Sequence, residues 1–141
     1  TPFVIQHSQG LPKNMQNNPT YNNVVVEIIS YFKKKITILR AKGIEQIIID
    51  PGFGFGKTLD HNYQILTKLE EFNQFNIPVL VGTSRKSMIY KLLDEKPKDA
   101  LNGTSITNTI ALQKGASILR VHDVKEAIEC IKITTFAKNL A

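Results

Sequence analysis

The sequence predicts an α/β fold in which short parallel strands alternate with helices. Three observations predict it: four β-rich runs, helical spacing of the apolar residues between them, and glycines or capping residues at the boundaries. The four runs are almost wholly apolar, which is typical of parallel strands covered on both faces. They comprise residues 3–5, 46–49, 78–81 and 118–121. At 141 residues the chain has the size of one domain.

The first two helices are predicted from apolar residues that recur every three or four positions. One stripe is made of Val25, Ile28, Ile29, Phe32, Ile36 and Leu39. Gly43 supplies the stop for this first helix. We expect Asp60 to cap the second helix. Its stripe is made of Tyr63, Leu66, Leu69 and Phe72.

The remaining helices follow the third and fourth runs. Residues 87–93 predict a short helix, and residues 104–114 predict a longer one that ends at Gly115. Asp123 and Glu126 have the spacing of a capping box and open the last helix. In that helix we expect Ala127, Ile128 and Ile131 to face inward.

Composition and charge indicate which kinds of binding partner and which cellular setting to expect. The net charge is +6, but lysines are scattered and do not alternate with aromatic residues, so we expect no nucleic-acid partner. No apolar run approaches the roughly 20 residues that span a bilayer, and no basic-then-apolar leader is visible, so we expect neither membrane association nor secretion. The single cysteine, Cys130, is expected to be a buried small side chain in a reducing, cytoplasmic setting.

Polar residues collect just after each strand. They are His7, Gln9, Asp50, Ser84, Arg85, Lys86, Ser87, Arg120 and His122. The carboxyl ends of parallel strands share one rim, where α/β proteins bind ligands, so a common binding site is predicted there. Two architectures remain open at this point: a small doubly wound sheet, or half of an eight-stranded barrel of about 250 residues.

The stretch DPGFGFGKT, residues 50–58, has the composition of a nucleotide-binding loop but not its spacing. A P-loop requires a glycine where Pro51 stands, and the dinucleotide fingerprint requires one where Lys57 stands. Pro51 instead ends the strand and holds Asp50 at its tip. The glycine turn is then expected to leave Phe53 and Phe55 projecting toward an aromatic ligand, the alternative being two core phenylalanines.

Two further motifs carry positive charge. GTSRKS, residues 82–87, runs into a helix start whose free amides, with Ser87, favour a carboxylate or phosphate. Lys86 adds a charge on a long apolar stem. In RVHD, residues 120–123, strand alternation directs Arg120 and His122 the same way, which predicts a clamp for diphosphate.

Taken together, DPGFGFGK, SRKS and RVHDV closely resemble the dihydropteroate synthase family. HSQGLPKNMQNNPTY and NGTSITNTIALQKGA also resemble family segments, so the resemblance covers essentially the whole chain. The family folds as a TIM (β/α)8 barrel. The resemblance therefore implies that residues 1–141 form the C-terminal half of such a barrel, about strands 5 to 8 with their helices.

The resemblance also implies an activity. The family joins 6-hydroxymethyl-7,8-dihydropterin diphosphate to p-aminobenzoate, giving dihydropteroate and diphosphate in folate biosynthesis, and sulfonamides inhibit it. It implies that Asp50, Gln6, Lys86 and Arg120 bind the pterin. Phe55, Lys86 and Ser87 would then bind p-aminobenzoate. Arg120 and His122 would hold the diphosphate, which makes Lys86, Arg120 and His122 the expected catalytic residues.

Further expectations concern the metal cofactor, the activity of this chain alone, the oligomeric state and the alternative functions. The family's Mg²⁺ ligand and flexible loop belong to its first half, so we expect no metal ligand in this chain and no turnover by this piece alone. The family also implies a homodimer when full length. A non-catalytic module that binds pterins or anions is the alternative function, and a basic nucleic-acid-binding domain is a weaker one.

Overall fold

The computed structural model describes residues 1–9 and 20–141, and within this part of the chain four strands alternate with five α-helices. The strands are β1 (Phe3–Gln6), β2 (Ile47–Asp50), β3 (Leu80–Val81) and β4 (Ile118–Leu119). The helices are α1 (Val24–Ala41), α2 (Leu59–Thr67), α3 (Ser87–Tyr90), α4 (Leu101–Gln113) and α5 (Val124–Asn139). Two 3₁₀ segments, Leu69–Phe75 and Pro97–Asp99, follow α2 and α3. The predicted α/β alternation is confirmed.

The strands are parallel and neighbour each other in chain order. β1 pairs with β2 so that Gln6 lies opposite Asp50, and β3 pairs with β4 so that Val81 lies opposite Leu119. A parallel bridge between Ile49 and Val79 joins the two pairs. A doubly wound sheet reverses its strand order at a switch point, whereas a barrel wall does not. The order β1-β2-β3-β4 is therefore that of a barrel wall.

The core lies between the sheet and the first two helices. Ile28 and Phe32 of α1 are fully buried together with Ile49 and Val79 of the sheet. The Phe32 ring meets the Phe72 ring edge to face, with centroids 5.9 Å apart. This packing confirms the predicted apolar stripe of α1.

The helix α1 begins where local side chains satisfy its free amides. The Asn23 side chain accepts a hydrogen bond from the Val26 N–H at 3.1 Å. The Glu27 carboxylate accepts one from the Asn23 N–H at 3.1 Å. Together these bonds fix the first turn of the helix that supports β1 and β2.

The second helix begins differently from the prediction. Its cap is Thr58 and not Asp60, because the Thr58 hydroxyl accepts the His61 N–H at 3.1 Å while the His61 ring accepts the Thr58 N–H at 3.1 Å. Asp60 lies within the first turn. Leu69 and Phe72 are buried as predicted, but they lie in the 3₁₀ segment that follows α2.

The boundaries of α3 and α4 and the burial of β1 also differ from the predictions. α3 ends at Tyr90 and α4 begins at Leu101, earlier than the predicted residue 104. Phe3 and Val4 of β1 are 47% and 46% exposed, so within residues 1–9 and 20–141 this strand is not covered on both faces.

Among the described residues, no helix combines the length and apolarity that a membrane crossing requires.

The last helix, α5, corrects two predictions. Asp123 precedes it but makes no side-chain capping bond, because its carboxylate binds Arg85 instead. Ile128 and Ile131 are 45% and 41% exposed, so they do not face inward. The inward stripe consists of Ala127 and Cys130, whose small side chains let α5 approach α4 closely; the Cys130 Sγ lies 3.6 Å from the Ser105 carbonyl oxygen.

Candidate functional site

Asp50 lies at the centre of the rim formed by the strand ends. Its Oδ2 accepts a hydrogen bond from the Gln6 side chain at 3.0 Å and lies 3.2 Å from the Arg120 Nη1. Its Oδ1 accepts the Gly52 N–H at 2.8 Å. The Asp50 side chain is 1% exposed and that of Arg120 is 49% exposed. The carboxylate thus forms the floor of the site, and the guanidinium lies at its mouth.

Arg120 is placed by the end of the sheet. Its backbone N–H donates to the Val81 carbonyl at 2.9 Å, which extends the β3–β4 ladder by one residue. Its guanidinium crosses over Gly82, where a β-carbon would lie 2.7 Å from Nη2. A glycine at residue 82 therefore leaves the space that Arg120 needs in order to reach Asp50.

Two glycine amides of the glycine-rich loop are bonded to protein side chains and are therefore not free for an anion. The Gly52 N–H binds Asp50, and the Gly54 N–H donates to the Asn62 side chain at 2.8 Å. Its carbonyls face cations instead, because the Lys57 Nζ donates to Gly52 at 2.7 Å and to Phe55 at 3.0 Å. A phosphate-binding loop requires the opposite orientation, so the structure agrees with the spacing argument.

Lys57 is a buried residue whose role the sequence motif did not indicate. Its Nζ also lies 3.4 Å from the His7 carbonyl oxygen, so one ammonium group joins the loop to the end of β1. Burial lowers the pKa of Lys57 to about 7, against the opposing influence of Asp50. Burial likewise lowers the pKa of His7 to about 3, so the His7 ring is neutral at ordinary pH. Lys57 thus supports the loop that carries Phe55.

The two phenylalanines of the loop have different environments. Phe53 is fully buried in the core, so the expectation that it projects toward a ligand is wrong. Phe55 is half-buried, and its ring lies under the Lys86 Nζ at 4.8 Å from the centroid. The turn, in which Gly52 and Gly54 have positive φ, directs the Phe53 ring into the core and leaves the Phe55 ring at the rim.

Lys86 lies between the loop and the strand ends. Its Nζ donates to the Phe53 carbonyl at 2.8 Å. Burial lowers the pKa of Lys86 to about 8, with Arg120 acting in the same direction and Asp50 opposing it. An open cleft of about 380 Å³ adjoins it, lined by Phe53, Gly54, Phe55, Arg85, Lys86, Ser87, Tyr90 and Pro97. Phe55, Lys86 and Ser87 therefore share one cleft.

Arg85 has a structural role in the turn after β3. Its backbone is in the left-handed region, with φ of +53°. Its Nε and Nη2 bind the two carboxylate oxygens of Asp123 at 2.9 and 3.1 Å, and this pairing holds the pKa of Asp123 below its ordinary value. Its Nη1 donates to the carbonyls of Pro97 and Lys98, each at 2.8 Å. The guanidinium is thus occupied by protein groups.

Threonines of α4 form hydrogen bonds with the turn after β3. The Thr104 hydroxyl accepts the Arg85 N–H at 3.0 Å, and the hydroxyls of Thr83 and Thr107 lie 2.9 Å apart. Thr104 and Thr107 of NGTSITNT, which had no predicted role, therefore support the turn that carries Lys86. Their spacing of three along a helix is the sequence signal that indicates a shared face.

The other predicted residues lie on the same rim, with one exception. His122 follows β4, and its ring Nδ1 lies 2.7 Å from the Ser84 hydroxyl of the neighbouring turn. Gln9 is the exception, because its side chain exchanges two hydrogen bonds with the Thr20 backbone. The segment GLPKNMQNNP, residues 10–19, which carries most of one family-like motif, lies outside the described residues.

Gly52 gives a test of the loop geometry. Its φ is +77°, and a β-carbon there would overlap the His7 carbonyl oxygen. Gly43 has a similar φ of +82° but open space around it, which makes it a matched control. We expect Gly52→Ala to lower the free energy of unfolding by about 1–3 kcal/mol more than Gly43→Ala, measured by urea denaturation of the full-length polypeptide. Equal losses for the two variants would contradict this close approach.

Acidic side chains of the described residues do not suit a metal ion. Within residues 1–9 and 20–141 there is no group of three or more His, Cys, Asp or Glu side chains placed to hold one. Asp50 has its oxygens occupied by Gln6, Gly52 and Arg120. The described part of the site therefore does not fit a Mg²⁺ ion.

Comparison with known proteins gives consistent matches. Residues 1–122 match the family model described as pterin binding enzyme. The dihydropteroate synthase of Escherichia coli K12 is 48% identical over 134 residues, covering 94% of this chain and 48% of that protein. The Yersinia pestis dihydropteroate synthase in complex with a sulfonamide drug superposes with a TM-score of 0.97 at 43% identity, covering 99% of this chain and 52% of that one. The Thermus thermophilus dihydropteroate synthase in complex with 4-aminobenzoate superposes with a TM-score of 0.89 at 35% identity, covering 94% of this chain and 55% of that one. The chain thus spans about half the length of the relatives it matches.

Proposed function

The chain belongs to the pterin binding enzyme family, and on that premise we propose that it forms part of a dihydropteroate synthase. The reaction joins 6-hydroxymethyl-7,8-dihydropterin diphosphate to p-aminobenzoate and releases diphosphate. The observation that carries the proposal is that Asp50, Lys86 and Arg120, far apart in sequence, meet at one rim. We further propose that residues 1–141 are the C-terminal half of a TIM barrel, about strands 5 to 8, and that the other half supplies the remaining contacts.

Asp50 is proposed to hold the pterin. A ring N–H and an exocyclic amine form a flat edge of two donors, which matches the two oxygens of a carboxylate. Oδ2 already has two partners, Gln6 and Arg120, so one of them has to move for that edge to dock. Arg120 is half exposed and is the freer of the two. We propose that it leaves Asp50 and stacks on the pterin, while Gln6 lines the pocket.

The cleft beside Lys86 is proposed to hold p-aminobenzoate. The aromatic ring would lie between the Lys86 stem and the Phe55 ring. The Lys86 ammonium already lies over the Phe55 ring, 4.8 Å from its centroid. Ser87 and the free amides beside it would take the carboxylate. Sulfonamide and 4-aminobenzoate complexes of the relatives support an aromatic ligand of this kind. Lys86 would then touch both substrates.

The proposed chemistry needs charge stabilisation more than a strong base. The amine of p-aminobenzoate forms a C–N bond to the pterin methylene as the C–O bond to diphosphate breaks, and the amine loses one proton to solvent. Negative charge grows on the leaving diphosphate, so preorganised donors there lower the barrier. Arg120 and His122 at the end of β4 are proposed to supply them, and Lys86 to stabilise the polarised pterin.

Four expectations remain predictions. For the full-length polypeptide they are a Mg²⁺ cofactor, a homodimer and a cytoplasmic location. For the 141-residue chain alone, the prediction is the absence of turnover. The described residues offer no fitting metal site, so no step of the proposed chemistry above is assigned to one.

Calorimetry with the two substrates separately tests the proposal. An enzyme needs a second aromatic site beside the pterin, whereas a non-catalytic pterin- or anion-binding module does not. We expect the full-length polypeptide to bind pterin diphosphate first and then p-aminobenzoate. Saturable pterin binding without any p-aminobenzoate binding would favour the module instead.

Ser87 supplies a sharper version of the same test. Ser87→Ala is expected to weaken p-aminobenzoate binding about tenfold, because one charge-assisted hydrogen bond to the carboxylate is lost. Pterin affinity is expected to stay unchanged. Ser30→Ala, an exposed serine of α1, is the matched control. An unchanged affinity for p-aminobenzoate in Ser87→Ala would refute the assignment of this residue.

A further inference from the structure

The Ser84 hydroxyl makes two contacts with a single residue, His122. Its Oγ accepts the backbone N–H of His122 at 3.1 Å, and the same Oγ lies 2.7 Å from the His122 ring Nδ1. Ser84 is buried in the turn after β3, whereas His122 is exposed at the end of β4. The buried hydroxyl therefore faces one nitrogen of an exposed imidazole.

The donors and acceptors of this pair can be assigned by counting. A hydroxyl has one hydrogen to donate, and two lone pairs with which to accept. If Nδ1 carried the proton, Ser84 would accept twice, and its own hydrogen would need another acceptor. Among the described residues Ser84 Oγ has no hydrogen-bond partner besides His122. Leaving that buried hydrogen unpaired is unfavourable, so the O–H donates to Nδ1 and the ring proton lies on Nε2.

We infer that Ser84 is a positioning residue that fixes His122 in the Nε2–H tautomer, so that an N–H donor, rather than a lone pair, is presented at the rim. Such a donor suits the oxygen of a leaving diphosphate, and the other tautomer would repel it. The value of this arrangement to catalysis rests on the proposed function. The tautomer itself does not, because it follows from the Ser84 contacts alone.

Nitrogen-15 NMR of histidine-labelled full-length polypeptide, recorded without substrate at an alkaline pH where imidazole is neutral, tests the tautomer. A His122→Gln variant identifies the signals of this ring. We expect the Nε2–H form to dominate in the unaltered protein. In Ser84→Ala the Nδ1–H fraction should rise about five- to tenfold, as expected for the loss of one hydrogen bond. Ser30→Ala should leave the ratio unchanged.

Two additional variants distinguish the loss of the hydroxyl from misfolding. Ser84→Cys keeps the size of the side chain with a weaker donor and should give a tautomer ratio between those of the unaltered protein and Ser84→Ala. Ser84→Thr keeps the hydroxyl and should give the tautomer ratio of the unaltered protein. A dominant Nδ1–H form in the unaltered protein, or an unchanged ratio in both Ser84→Ala and Ser84→Cys, would overturn the inference.

Binding of inorganic diphosphate separates this inference from the proposed function. If Ser84→Ala shifts the tautomer and weakens diphosphate binding several-fold, both stand. If the tautomer shifts but neither Ser84→Ala nor His122→Gln changes diphosphate affinity, the positioning of His122 stands and its proposed role toward diphosphate fails.

Discussion

Replacing Asp50 by alanine is expected to weaken pterin binding by the full-length polypeptide about tenfold or more. Asp50 is the buried acid at the centre of the rim, and its carboxylate is proposed to receive two donors from the pterin edge. Each charge-assisted hydrogen bond contributes about 1.5–3 kcal/mol, so the loss of even one exceeds a factor of ten. Calorimetry with the pterin diphosphate measures the change directly.

Asp50→Ala also removes hydrogen bonds within the protein itself, so a second variant that keeps part of them is needed. Alanine leaves Gln6, the Gly52 N–H and Arg120 without their shared acceptor. Asp50→Asn keeps an oxygen for the Gly52 N–H but replaces the other carboxylate oxygen by an NH2 donor. It therefore preserves this contact of the loop while removing the charge and one acceptor for the pterin. Asp60→Ala, an exposed acid of α2, is the control. If both folded Asp50 variants bind the pterin as tightly as the parent, this residue does not hold it.

Much of this rim could be predicted from the sequence because parallel strands impose it. Once Asp50 and Arg120 are placed at the carboxyl ends of two parallel strands, the sheet brings both to the same rim. The contact of 3.2 Å between them also requires the Arg120 side chain to cross over Gly82, because β3 lies between the two strands. The family-like motifs then predict which ligand suits the cluster.

Long-range pairing explains what the sequence could not predict. Asp123 has the spacing of a helix cap, but Arg85, distant in sequence, takes its carboxylate. Lys57 lies in the glycine-rich motif with no predicted role, yet three carbonyls surround its Nζ. Phe53 and Phe55 each stand between two glycines, yet Phe53 is fully buried and Phe55 is only half-buried. In each case tertiary packing decides between local alternatives that the chain leaves equal.

Removing the charge of Lys86 is expected to have the largest effect on turnover. Lys86→Met keeps the apolar stem but loses the ammonium that lies over Phe55 and donates to the Phe53 carbonyl. Since the ammonium is proposed to stabilise charge in the transition state, kcat/KM should fall about 10²- to 10³-fold. Both substrates should also bind less tightly. Lys34→Met, an exposed lysine of α1, should retain activity.

The pH dependence separates the charge of Lys86 from its shape. Burial lowers the pKa of Lys86 to about 8, so the ammonium is present below that pH and is lost as pH rises through it. Activity of the unaltered protein should therefore fall as the pH rises through about 8. Arginine stays charged across this range, so a Lys86→Arg variant with residual activity should lose the alkaline fall. Lys57, with a pKa of about 7, is the nearby alternative. A fall that persists unchanged in Lys86→Arg would show that a group other than Lys86 causes the pH dependence.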